Sequence, residues 1–176
     1  MRNAALILFG FTILVFEATT TALVPIHPFT PNLLLPVVIY LGVSQDVELV
    51  RGAALSFVLG YLLDSFGGSP MGLHTFVLVA VFLLARGAGF SLFLRGPLFQ
   101  IGLTFAVGLL AGGTILALRA IFEPRPPFPS GSAWDAFKSL LAPAFITALL
   151  APLVFLAVRS VDSLTARRPS EGTQAP

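Results

Sequence analysis

Six apolar stretches, separated by short breaks rich in proline, glycine or charge, run through almost the whole chain. No other feature restricts the fold as tightly. Of the 176 residues 56% are hydrophobic and only 10% charged, where a soluble domain carries roughly 25% charged residues. A chain this small cannot hide so much apolar surface in its own interior. Lipid as the solvent removes the difficulty, and the 17 Phe suit acyl chains equally well. The expected fold class is therefore an all-α integral membrane protein, a single compact bundle of about six transmembrane helices over residues 1–159.

The breaks set the expected spans at about 4–24, 31–44, 50–64, 70–86, 97–118 and 136–158. Thr30-Pro31 and Ser69-Pro70 each read as a cap followed by a proline at the first helical position, and Pro97 opens the fifth run. Gly67-Gly68 reads as a tight turn. The second and third runs fall short of the roughly 20 residues a lone span needs, so they are expected to be thin, tilted or extended by polar residues inside the bundle. Residues 119–133 contain Pro124, Pro126, Pro127 and Pro129 and read as an extended loop. Ser132 with Asp135 resembles a capping box for the sixth run, beside a possible interfacial anchor at Trp134. Residues 160–176 are polar and expected to be a disordered tail.

Met1-Arg2-Asn3 followed by apolar Ala4–Val24 could open a cleavable signal. The length is that of a spanning helix, and Pro25, His27 and Pro28 follow it in place of a small-residue cleavage site, so an uncleaved first span is expected. With six spans, Arg2, Arg51, Arg86, Arg95, Arg159, Arg167 and Arg168 share one side, and Arg119, Arg125 and Lys138 the other. The excess of positive charge places both termini in the cytoplasm.

A few polar side chains within or beside the runs are candidates for function. Asp64 ends an apolar run, where a carboxylate meets the unfavourable end of the helix dipole. The following turn can fold it onto the next helix N-terminus, where His74 also lies and an anion is welcome. It then either pins the hairpin or presents a charge to a partner or ligand. Glu17 is either an interfacial carboxylate or a polar contact between helices. Gly52, Ser56 and Gly60 share one helix face, as do Gly108 and Gly112, and such small-residue seams pack within a bundle or against another protein.

Several classes of function are disfavoured. There is no Cys, which removes disulfides, thiolate metal sites and cysteine nucleophiles. His27 and His74 are too few and too far apart to suggest a metal site. Neither a basic stripe for nucleic acid nor a channel filter is visible. Gly67-Gly68-Ser69 at the mouth of the fourth run is similar to the serine motif of a six-span intramembrane protease. The sixth run has no His to activate that serine, so no enzyme and no cofactor are expected.

Pro31-Asn32-Leu33-Leu34-Leu35, then Arg51-Gly52, then Gly60-Tyr61-Leu62-Leu63-Asp64, then Gly67 through His74, together resemble the MreD family of bacterial rod shape-determining membrane proteins. The family pattern has Asp where Asn32 stands and Leu where Met71 stands. The motif region covers roughly a quarter of the chain, and the remainder agrees in length, span count and polarity. The resemblance implies a non-enzymatic subunit of the complex that directs lateral peptidoglycan synthesis. MreC would be the direct partner, RodA and a class B penicillin-binding protein would share the complex, and MreB would be reached indirectly. The resemblance further implies a fold similar to the substrate-binding subunits of energy-coupling-factor vitamin transporters, and lipid as a surrounding partner.

Two readings follow. In the first, the chain binds MreC, and Asn32, Arg51, Gly52, Gly60, Asp64, Pro70, Gly72 and His74 either form the partner-binding surface or hold a structural hairpin, with Glu17 a buried or interfacial polar group. In the second, it is a solute-binding subunit of a vitamin uptake transporter, docking through Ala18 and Ala22. A solute site needs several convergent polar groups. The runs offer Glu17, Thr19-Thr20-Thr21, Asp64, His74 and Gln100.

Overall fold

The computed structural model describes residues 2–23, 31–44, 47–67, 70–88, 96–122 and 133–165. Among them are six helices: α1 (Arg2–Leu23), α2 (Leu34–Val43), α3 (Leu49–Gly67), α4 (Leu73–Gly87), α5 (Pro97–Phe122) and α6 (Ala133–Thr165). Segments of α3, α5 and α6 are each long and apolar enough to cross a membrane, while α1, α2 and α4 carry shorter apolar stretches. Large apolar side chains such as Leu8, Phe16, Phe57, Phe76, Leu98, Leu110 and Leu153 face outward. In water such a surface would drive aggregation. Around a bundle of this composition it is the face a membrane protein turns to lipid.

Successive helices alternate in direction. Glu17, late in α1, meets Leu33 just before α2. Asp64, late in α3, meets the start of α4. Gly112, late in α5, faces Leu140, early in α6. At the other end of the bundle the Arg86 guanidinium of α4 donates to the Ser44 carbonyl at the close of α2, at 2.6 Å. The Tyr40 ring of α2 meets Phe155 of α6 edge to face there, 6.0 Å between centroids.

The short α2 is the pillar of the bundle. Nine of its ten residues are buried, Tyr40 alone being partly exposed. A helix apolar all round belongs in a core, and α4 and α6 flank it most extensively. Gly42 brings α2 onto α4, since a Cβ there would lie 2.8 Å from the Phe82 carbonyl oxygen and from the Ala85 Cβ. The Gly52, Ser56 and Gly60 seam of α3 faces inward. Gly52 abuts the Phe82 ring, Ser56 is fully buried, and a Cβ on Gly60 would lie 2.5 Å from the Thr75 Cα. In α5, Gly108 and Gly112 face Ala144 and Leu140 of α6.

Several helix limits depart from the sequence pattern. α2 starts at Leu34 and α4 at Leu73, so neither Pro31 nor Pro70 is a first helical residue. At α4 the Asp64 side chain of α3 answers the first N–H groups; at α2, Thr147 and Glu17 answer the N–H groups of Asn32 and Leu33 just before the helix, and Asn32 Oδ1 meets the Leu35 N–H locally. α3 runs three residues past Asp64, and α5 runs past Leu118 to Phe122. α6 continues through Val158 to Thr165, so residues 160–165 are helical where a disordered tail was expected. The Ser160 hydroxyl donates to the Leu156 carbonyl at 2.9 Å and the Ser163 hydroxyl to the Ser160 carbonyl at 2.8 Å, so these polar residues serve the helix. The expectations for the Thr30 and Ser69 caps, the Gly68 turn, the Ser132 capping box, the proline-rich stretch, His27 and the tail from 166 onward lie outside the described residues, as does the Trp134 side chain.

Candidate functional site

A polar cleft opens at the end of the bundle where α1, α3 and α5 finish and α2, α4 and α6 begin. Its volume is about 380 Å³, and its polar lining is Glu17 of α1, Asn32 before α2, His74 of α4, Arg119 of α5, and Ser139 and Thr147 of α6. The apolar remainder includes Leu35, Leu63, Ala111, Pro143 and Ala144. Alternating helix direction is what brings these distant residues together.

The floor of the cleft is the N-terminus of α2. The Asn32 N–H donates to the Thr147 hydroxyl at 2.9 Å, and the Leu33 N–H to Glu17 Oε2 at 3.1 Å. The Leu35 N–H reaches Asn32 Oδ1 at 3.3 Å. Helix starts leave N–H groups without intrahelical partners, and here α1 and α6 supply the acceptors. A carboxylate at a helix N-terminus is also on the favourable side of the helix dipole.

The wall beside His74 is built on Asp64, which is 2% exposed. Its Oδ2 accepts the Gly72 N–H at 3.0 Å, the Thr75 N–H at 3.1 Å and the Thr75 hydroxyl at 2.8 Å. Its Oδ1 accepts the His74 N–H at 2.9 Å and lies 2.9 Å from His74 Nδ1. Gly72 turns the chain into this clamp with φ at 96°, a left-handed conformation that glycine adopts without steric cost. Asp64 therefore pins the α3–α4 hairpin from inside, the structural one of the two roles its sequence position allowed.

The residues named from sequence fall into three groups. Glu17, Asn32 and His74 line the cleft. Gly52, Gly60 and Asp64 are buried between α3 and α4, where they face a neighbouring helix of the same chain, as the hairpin alternative expects. Arg51 is exposed at the opposite end of the bundle. Pro70 and Gly72 are exposed and line a separate apolar groove of about 330 Å³ with Met71, Phe76 and Leu118.

The polar groups weighed for a solute site do not all converge. The Thr19 and Thr20 hydroxyls return to the Val15 and Phe16 carbonyls of their own helix, each at 2.7 Å. Gln100 lies at the far end with Tyr40, Phe155 and Arg159. Sequence reasoning missed Arg119, Ser139 and Thr147 as cleft residues. The signal was available, since six alternating runs put the end of the fifth and the start of the sixth beside Glu17, Asn32 and His74. Among the described residues no group of three or more His, Asp or Glu is placed to hold a metal.

No curated protein and no solved structure gives a significant match to the chain. The family model of the rod shape-determining protein MreD matches residues 2–161. The match takes in every helix except the last turn of α6, and with it every residue of the cleft. The chain therefore belongs to the MreD family of rod shape-determining proteins, and is a membrane protein of that role.

Proposed function

We propose that the protein is a non-enzymatic subunit of the bacterial elongation complex that binds MreC. Through MreC it holds RodA and a class B penicillin-binding protein in place, with MreB linked indirectly on the cytoplasmic side. The proposed topology is six crossings of the inner membrane with both termini cytoplasmic. Arg51, Arg86 and Arg159 gather at one end of the bundle and the cleft opens at the other, so the positive-inside rule turns the cleft outward.

The observation that carries this reading is the cleft itself. Its lining is in part polar and draws on all six helices or their flanks, and in the proposed topology it lies within reach of a membrane-proximal segment of MreC. A concave site with a few convergent polar groups is what a specific binding surface requires. Family membership argues for a protein partner in place of a vitamin.

The test is steric. Ser139 is an exposed residue at the cleft wall, and Ser160 is exposed on the same helix at the opposite end. Ser139→Trp is expected to abolish co-purification of MreC and to fail to restore rod shape in cells lacking the protein. Ser160→Trp is expected to leave both intact. Undiminished MreC recovery with Ser139→Trp would remove the cleft from the interface.

A further inference from the structure

The cleft's wall already uses most of the polar groups that its hydrogen bonds identify. The Asn32 N–H is held by Thr147, Asn32 Oδ1 by the Leu35 N–H, and Glu17 Oε2 by the Leu33 N–H. Glu17, Arg119 and Ser139 are each engaged in further interactions. His74 differs. Its Nδ1 faces Asp64, while Nε2 has no partner among the described residues, and the side chain is 17% exposed.

The imidazole is not needed for the cap. The His74 backbone N–H donates to Asp64 whatever the side chain is, and Gly72 and Thr75 supply three further donors. What the contact between side chains adds is orientation. A carboxylate accepts only, so the bond to Asp64 places the ring proton on Nδ1 and leaves Nε2 a bare acceptor in the neutral ring. A second group that fixes ring angle and tautomer is the usual way proteins aim a histidine.

We propose that His74 Nε2 is the recognition atom of the cleft, an acceptor aimed by Asp64 that takes a hydrogen bond from an N–H or O–H on the segment bound there. This rests on the reading of the cleft as the MreC site. Asp64 is then a positioning residue, and His74 the residue that reads the partner.

Two substitutions separate recognition from structure. The amide nitrogen of Asn superimposes on Nδ1, and the amide of Gln on Nε2. His74→Asn keeps a donor toward Asp64 and removes the acceptor from the cleft; His74→Gln does the reverse. The probe is full-length MreC, titrated in mild detergent. His74→Asn is expected to weaken binding by about three- to tenfold, the effect of one net hydrogen bond, with His74→Gln closer to wild type. Wild-type affinity in His74→Asn, with the loss confined to His74→Gln, would show a purely structural histidine and overturn the proposal.

A second measurement does not depend on MreC. The chain has two histidines, so a His27→Gln background leaves one imidazole for ¹⁵N spectroscopy. The neutral ring is expected to carry its proton on Nδ1, and Asp64→Asn to move it to Nε2. A neutral ring protonated at Nε2 in the Asp64 protein would overturn the proposal. Failure of wild-type protein to bind MreC, with the Nδ1 proton in place, would instead overturn the partner assignment and leave the aimed acceptor supported.

Discussion

Removing the Asp64 carboxylate strikes a heavily bonded buried side chain. Five contacts converge on it: three backbone N–H groups, the Thr75 hydroxyl and the His74 ring. In Asp64→Ala the exposed Gly72 N–H can find water, and the Thr75 hydroxyl can turn to a carbonyl one turn back. The buried Thr75 N–H has neither escape, and a buried donor without a partner costs about 1–3 kcal/mol. Loss of a negative charge from the α4 N-terminus adds roughly 0.3–2 kcal/mol. Relief from burying a charge offsets part of this. The net expectation is a destabilisation of about 3 kcal/mol, with Asp64→Asn intermediate because one acceptor oxygen remains. Unfolding of purified protein in increasing SDS, followed by far-ultraviolet circular dichroism, measures the difference. A midpoint for Asp64→Ala within about 1 kcal/mol of wild type would refute the argument that this carboxylate holds the hairpin.

Two further predictions use the same unfolding assay. Gly60→Ala is expected to destabilise by about 1–3 kcal/mol, because the added Cβ meets the Thr75 backbone and not a movable side chain. Gly113→Ala, with nothing within 4 Å of the new Cβ, is expected to stabilise by about 0.5–1 kcal/mol through helix propensity alone; equal effects at the two sites would contradict the packing described. Arg86→Ala is expected to cost about 1–2 kcal/mol by leaving the Ser44 carbonyl at the close of α2 without its charged donor, and an unchanged midpoint would show that contact to be incidental.

The sequence pattern revealed the helices better than their starts. Apolar runs mark what lipid and core will accept, and each of the six became a helix. The return of Asp64 onto the α4 N-terminus was also legible, because a carboxylate at a helix C-terminus needs some other helix to answer it. The starts of α2 and α4 were not. Cap-and-proline signatures assume that a helix start is satisfied by neighbouring residues alone, whereas here Asn32 does so locally for Leu35 and Glu17, Thr147 and Asp64 do the rest from 16, 115 and 8 to 11 positions away. The continuation of α6 to Thr165 was hidden for a related reason: polarity marks where lipid ends, not where a helix ends.

The cleft follows from the shortness of α2. Ten residues rise about 15 Å, half of the roughly 30 Å hydrocarbon layer. A helix so short cannot be exposed to lipid at its ends, because its unpaired backbone groups would be unanswered there. Burial at the centre of five longer helices solves that for its sides, and Glu17, Thr147 and Asn32 answer the N–H groups at and just before its start. The centre of the bundle beyond that start is then left unfilled, and Pro31, Asn32 and Leu35 become its floor. The residues that line the cleft and those that hold the core thus overlap in this fold. Glu17 and Thr147 hold the pillar, Asp64 holds the hairpin, and the cleft inherits the polar faces that those tasks bring together.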